Sequence, residues 1–293
     1  VNRHLLIGLE GLRLSARERR WLQEKPPRGV ILFGRNIQDA VQVRALLAEV
    51  REAAGQALWA AIDEEGGRVN RLLWPPFSTR RPAASYGRMY AHAPEEARQH
   101  VYDDAFKVGR ALRDLGFTHN CAPVLDVFHA DGHGVIGDRA FGGDVDVVCQ
   151  LALECMNGLA EAGVEAVGKH FPGHGRANAD SHLAVPIVDA GREALLREAQ
   201  PFRHLAAAGL QHIMTAHVVY SDVDQRIATF SSAWLMDVLR QELEFSGQIW
   251  SDDLSMKGTG QEVSQSAENA LAAGCDVLLV CEPADVAAVY ASL

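Results

Sequence analysis

The sequence predicts a single (β/α)8 barrel of the TIM type, with its active site at the C-terminal mouth of the strands. Two observations carry that prediction. Short apolar and β-branched runs alternate with longer segments of helical periodicity along the whole chain, the pattern of a parallel sheet with crossover helices. Polar and charged residues then gather where those runs end, which is where a β/α barrel carries its chemistry.

Eight runs read as strands: His4–Gly8, Gly29–Phe33, Leu58–Asp63, Thr118–Pro123, Glu165–His170, Gln211–His217, Gln248–Asp252 and Asp276–Cys281. Between them, Ser15 and Glu18 form a capping box that opens the first helix. Over 94–115, Val101, Ala105, Val108, Leu112 and Leu115 recur at helical spacing, and Gly116 supplies the stop. Val148, Leu151, Ala152, Cys155 and Leu159 repeat the pattern, which Gly163 ends. Trp74–Ala93, rich in Pro, Arg, Ser and Tyr, is expected to be a long loop over one barrel face. An open doubly wound sheet would carry a glycine-rich phosphate turn after its first strand, and the segment Gly8 to Gly11 lacks that fingerprint. No linker or internal repeat divides the chain, so residues 1–293 are expected to form one catalytic barrel domain. The sequence stops one short helix after the eighth run, so no C-terminal extension is expected.

The composition, 48% hydrophobic and 23% charged, is that of a water-soluble globular chain. A net charge of −10 argues against nucleic acid and against an anionic membrane surface as partners. The five cysteines show no zinc-type spacing, and their odd number favours buried free thiols in a reducing compartment. No apolar run approaches membrane-spanning length, and the N-terminus lacks a signal pattern. A cytoplasmic monomer is expected.

Six junctions carry the candidate chemistry: 63–68, Asp126, 169–175, 215–217, 251–253, and Asp138–Arg139 on a loop. A single carboxylate in such a place often just caps the next helix or pairs with a buried arginine. Six together point to a site. The segment from Lys169 to His182 is the most informative, because it follows a strand, contains loop glycines and ends in Asp180-x-His182. A carboxylate beside an imidazole fixes its tautomer and raises its pKa, which suits proton transfer near neutral pH. Asp252 and Asp253 compete as nucleophile. Successive strand residues face opposite ways, so only one is expected to face the barrel axis, and alternation alone does not choose.

The run Lys169-His-Phe-Pro-Gly-His-Gly175, with Asp180 to His182, Asp63 to Arg71 and Ser251 to Met256, resembles bacterial β-N-acetylglucosaminidases of glycoside hydrolase family 3. The likeness spans nearly the whole chain and is strongest to the single-domain cytoplasmic form used in cell-wall recycling. It implies Asp252 as nucleophile, His182 as proton donor and acceptor, and Asp180 as the group that orients His182. Sugar-binding positions fall on Asp63, Arg71, Arg139, Lys169 and His170. The resemblance also implies retention of configuration through a covalent glycosyl-enzyme, a muropeptide-type glycan as substrate, and no metal or cofactor. The sequence departs from the family pattern at Ala140, where a serine is usual, and in the missing proline near Ile227. The lost hydroxyl at 140 is expected to loosen Arg139.

Two other readings use the same residues. A metal-dependent barrel hydrolase would ligate its ion through His170, His174, His182, His217 and Asp252, but no early His-x-His pair or helical His-Glu-x-x-His is present and Lys169 is cationic beside the site. A barrel that only binds sugar would need neither a strand-end carboxylate nor an Asp–His pair. If His182 is not the proton donor, Glu64 and Glu65 are the next carboxylates to consider.

Overall fold

The computed structural model describes residues 2–179 and 185–292. Its strands, numbered along the chain, are β1 (Leu5–Gly8), β2 (Gly29–Leu32), β3 (Trp59–Ile62), β4 (His119–Asn120), β5 (Glu165–Phe171), β6 (Ile187–Val188), β7 (His212–Thr215), β8 (Val219–Tyr220), β9 (Asp224–Ile227), β10 (Gln248–Asp253) and β11 (Val277–Val280). Eight of them close into a parallel barrel in the order β1-β11-β10-β7-β5-β4-β3-β2. Each expected run contributes one of these strands. β1 closes the ring by pairing with both β2 and β11, as in Leu6 with Gly29 and Leu5 with Leu278.

The period-two alternation of strand side chains divides the apolar residues into two cores. Leu6, Ile31, Ala61, Val167, Met214 and Trp250 fill the barrel interior. Their alternates pack outward against the helices in a second, larger cluster. At the N-terminal end, Trp59 stacks on Trp250 with 5.6 Å between ring centroids, and His119 and His212 complete this barrel floor.

Local signals start and stop the helices as the sequence suggests. Helix α1 (Ala16–Glu24) opens with the Ser15–Glu18 capping box. Helix α2 (Ala40–Ala54) is capped by Asp39, whose side chain accepts from Val41 and Gln42. Two expectations needed correction. The Trp74–Ala93 segment holds helix α3 (Ala83–Tyr90), which follows Pro82 and buries Tyr86. A composition rich in proline and arginine concealed that single buried face. The fourth barrel strand, expected over Thr118–Pro123, is two residues long, and beyond it only scattered bonds such as Val167 N–H to the Ala122 carbonyl continue the pairing, with Pro123 offering no N–H.

Helix α4 (Pro94–Leu115) ends at Gly116 with φ +103°, and α5 (Val145–Glu161) follows the cap of Asp144. Beyond β5, α6 (Arg192–Glu198) and α7 (Gln200–Ala207) lead into β7, while a π-wound helix over Ala233–Glu242 leads into β10. Helices α8 (Val263–Ala273) and α9 (Pro283–Ser292) flank β11. Strands β6, β8 and β9 form a small separate sheet. From it the Tyr220 hydroxyl donates to the Gly173 carbonyl at 2.7 Å, which ties the sheet to the loop after β5.

Candidate active site

A cavity of about 330 Å³ opens at the C-terminal mouth of the barrel. It is lined by Asp63, Arg71, Arg139, Lys169, His170 and Asp252, so the structure brings six of the eight expected site residues together. Asp180 and His182 lie outside the described residues. The other walls include Ile31, Phe33, Met214 and Leu279, an apolar surface with a few converging polar groups, as small-molecule sites generally have.

The polar wall is built from the ends of β3 and β5. Asp63 and Glu65, two residues apart after β3, both reach the Lys169 ammonium, at 2.6 and 2.7 Å. Glu65 also receives Arg139 side-on, from Nε at 2.7 Å and from Nη2 at 2.8 Å. Arg71 approaches Asp63 at 3.7 Å. Burial alone would neutralise Glu65, but Lys169 and Arg139 outweigh it and hold its carboxyl well below the usual range. Burial likewise opposes charge on Lys169 and on Arg139, and the carboxylates reverse it, so both stay cationic above their ordinary values. The turn behind this wall needs its glycine: Gly66 has φ +93°, and a Cβ there would lie 2.8 Å from the Arg81 carbonyl oxygen.

His170 is aimed by a residue below it. Asp126, fully buried after β4, receives His170 Nδ1 at 2.7 Å and the backbone N–H groups of His170 and His174. Burial pushes the Asp126 carboxyl upward, yet His170 and the other donors win and lower it. With Nδ1–H committed to a carboxylate, His170 Nε2 can accept from Arg139 Nη2, which lies 3.4 Å away. The loop returning from β5 passes so near that a Cβ on Gly175 would meet the Val127 carbonyl oxygen at 1.8 Å.

Both aspartates of β10 line the cavity, because the strand is irregular between Trp250 and Asp253 where it pairs with β11. The expectation that only one could face inward therefore fails, but the two carboxylates differ in use. Asp253 Oδ1 accepts from the backbone of Ser255 at 2.9 Å and of Cys281 at 3.0 Å, which anchors it to the barrel rim. Burial raises its pKa. Asp252 Oδ1 accepts the Asp253 N–H at 2.8 Å. Below, His217 Nε2 donates to the Asp253 carbonyl at 3.0 Å and steadies the same turn.

Glu64 and Glu65 are poorly suited to proton donation. Glu65 is committed to two cations. Glu64 carries a pKa raised to about 7 by burial, but its Oε2 accepts from the backbone of Arg71 and Leu72, behind the cavity wall. The loosening expected from Ala140 is also absent, since Glu65 and the Val135 carbonyl hold Arg139 from other sides. Among the described residues, no three His, Cys, Asp or Glu side chains converge as metal ligands. His170 and His217, named for such a centre, are engaged with Asp126 and with Thr229 and the Asp253 carbonyl. Sequence reasoning offered Glu65 only as a fallback proton donor and Asp126 only as one of the strand-end junctions, without partners for either. The two-residue spacing of Asp63 and Glu65 at a strand end was a usable signal, whereas nothing local to Asp126 named His170 as its partner.

A family model described as "Glycosyl hydrolase family 3 N terminal domain" matches residues 5–293. The chain belongs to glycosyl hydrolase family 3. Like the family 3 enzymes it resembles, it is a glycoside hydrolase, which removes the reading of a barrel that only binds sugar. A β-hexosaminidase of Methylobacillus flagellatus is 40% identical over 97% of this chain and 81% of its own length. The crystal structure of NagZ from Neisseria gonorrhoeae in complex with N-trifluoroacetyl-D-glucosamine superposes with a TM-score of 0.92 at 33% identity, covering 99% of this chain and 85% of that one. A family 3 β-N-acetylglucosaminidase from a Paenibacillus species gives 0.91 at 35% identity, over 100% of this chain and 57% of the other. The two solved structures share the barrel over 99% and 100% of this chain.

Proposed function

We propose that this family 3 β-N-acetylhexosaminidase removes terminal β-linked N-acetylglucosamine from peptidoglycan-derived fragments, with 1,6-anhydro-N-acetylmuramic acid, bare or carrying peptide, as leaving group. The β-N-acetylhexosaminidase activity itself stands on the curated relatives and the solved NagZ structures. The single observation that supports the finer reading is the meeting of Asp252 with Asp63, Arg71, Arg139, Lys169 and His170 around one cavity. A volume of about 330 Å³ lies at the small end of ligand pockets, suited to one terminal sugar and not to the interior of a polymer.

In this proposal Asp252 attacks the anomeric carbon and forms the glycosyl-enzyme, while His182 protonates the departing oxygen. Asp180 holds His182 in the tautomer that can donate. Water, deprotonated by His182, then releases the sugar with retained configuration. The charge built up in the oxocarbenium-like transition state lies against the Asp252 carboxylate. An imidazole replaces the second carboxylate of the usual pair. Asp63, Arg71, Arg139, Lys169 and His170 hold the ring hydroxyls. The whole of residues 1–293 acts as one catalytic unit, as a monomer in the cytoplasm, where the five cysteines, buried and unpaired in the structure, would stay reduced.

The test compares aryl β-N-acetylglucosaminide, aryl β-glucoside and a muropeptide disaccharide, with the anomer of the first-formed product read by NMR. Cleavage of the acetamido substrates with a β-product first, and its near-complete loss in Asp252→Ala, is the expected result. An α-product first, or undiminished turnover in Asp252→Ala, overturns the proposed chemistry. No cleavage of the disaccharide overturns the proposed substrate.

A further inference from the structure

We infer that Glu65 is a positioning residue for sugar binding, fixing Arg139 and Lys169 in the orientations in which they face the cavity. The inference rests on the proposed role of those two cations, and Glu65 has no part in that assignment.

The geometry of the grip carries the argument. Glu65 Oε2 takes Arg139 Nε, and Oε1 takes both Arg139 Nη2 and Lys169 Nζ. A side-on carboxylate of this kind fixes the plane of a guanidinium, which a single contact would leave free to turn. Lys169 has three N–H donors, and Asp63 and Glu65 each take one. The third is thereby given a set direction, available to a ligand hydroxyl. The side chains of Glu65, Lys169 and Arg139 are 5%, 3% and 11% exposed, so solvent does little to soften these interactions. One carboxylate from the segment after β3 thus coordinates donors from β5 and from the 137–139 turn.

Glu65 also sets the charge of the wall. Without it, two buried cations would repel each other and lose the orientation in which they face the sugar. The effect on the enzyme should therefore fall on ground-state recognition of the sugar more than on the chemical step.

The test is steady-state kinetics with an aryl β-N-acetylglucosaminide, together with competitive inhibition by N-acetylglucosamine. Glu65→Gln keeps the side-chain shape and removes the charge. KM and the inhibition constant should both rise roughly 10- to 100-fold, the scale of losing a charge-assisted hydrogen bond, with kcat changed less. Glu65→Asp keeps the charge but cannot span both partners, and should give an intermediate rise in KM with a near-native melting curve. In an Arg139→Ala/Lys169→Ala background, adding Glu65→Gln should change kcat/KM by less than about twofold, because Glu65 acts through those two residues. That triple variant leaves none of the three buried charges, so it remains measurable if Glu65→Gln alone fails to fold. A wild-type KM in Glu65→Asp, or the full Glu65→Gln loss persisting in the double-alanine background, overturns the inference. If Arg139→Ala and Lys169→Ala themselves leave KM and the inhibition constant unchanged, it is the proposed sugar-binding role of the cations that falls.

Discussion

Replacing Glu64 by Gln should stabilise the protein above neutral pH relative to its effect in acid, although Glu64 lies in the most charged segment of the site. Its side chain is fully buried. Oε2 accepts the N–H groups of Arg71 at 2.9 Å and Leu72 at 3.2 Å, and Oε1 has no hydrogen-bond partner among the described residues. Burial lifts the pKa from an ordinary 4.5 to about 7. The unfolded chain gives up this proton near 4.5, while the folded protein keeps it until about 7. Between those values the native state binds more protons, so stability is full below the lower value and falls as pH rises to the upper one. At about 1.4 kcal/mol per pH unit the loss comes to about 3 kcal/mol by pH 8. Glutamine cannot ionise, and its oxygen can still accept both N–H groups. Its amide introduces a buried donor in place of Oε1, a cost that is the same at every pH. The informative quantity is therefore the difference between pH values. Chemical denaturation of both proteins at half-unit steps from pH 4 to pH 8 should show the variant gaining about 3 kcal/mol on the wild type across that range. A constant offset from pH 4 to pH 8 would refute the reasoning, since it would mean that the folded protein accommodates the carboxylate as easily as the acid.

His182→Ala should lose roughly 10²–10⁴-fold on a natural disaccharide and much less on an aryl glycoside, whose phenolate leaves without protonation; Asp180→Ala should show the same bias, and equal losses on both substrates would make the pair structural. In the barrel floor, burial lowers the pKa of His119 to about 3 and of His212 to about 4. Both rings are neutral when folded, so stability is full above about 6.5 and falls as pH drops toward 4, by about 3 kcal/mol for each ring. His119→Gln should flatten that acid slope in the same denaturation series, and an unchanged slope would reject the assignment. This trend opposes that of Glu64 between pH 4.5 and 6.5, so only the variants separate the two.

The barrel was legible because each strand is a local apolar run with its own boundaries, as at Gly29–Leu32 and Val277–Val280. Helix α3 was not legible, because Ala83–Tyr90 buries little beyond Tyr86 and its arginines and flanking prolines read as loop. The sheet of β6, β8 and β9 escaped notice for another reason. Two-residue strands such as Ile187–Val188 have no period, and their pairing is decided by distant chain. The same divide runs through the candidate site. Residue types and junctions could be read locally, since Asp63, Lys169 and Asp252 each lie within two residues of a strand's C-terminal end. Partnerships could not. Glu65 and Arg139 lie 74 residues apart, and Asp126 and His170 lie 44 apart, so closure of the barrel alone brings them together.

Those partnerships bear on why the proposed chemistry is possible in a chain of net charge −10. An N-acetylglucosamine ring is uncharged, so the wall that holds it needs directed donors and acceptors and little net field. The buried donors of the wall are matched from elsewhere in the barrel: Lys169 by Asp63 and Glu65, Arg139 by Glu65, and the His170 Nδ1–H by Asp126. Such pairs point N–H groups inward while cancelling their charge, and they are already oriented before a sugar arrives. A wall of unmatched cations would instead repel itself and leave its donors free to turn. On the proposed reading, the carboxylates behind the wall keep the sugar-binding donors aimed, and the positive charge that develops at the anomeric carbon is met by Asp252.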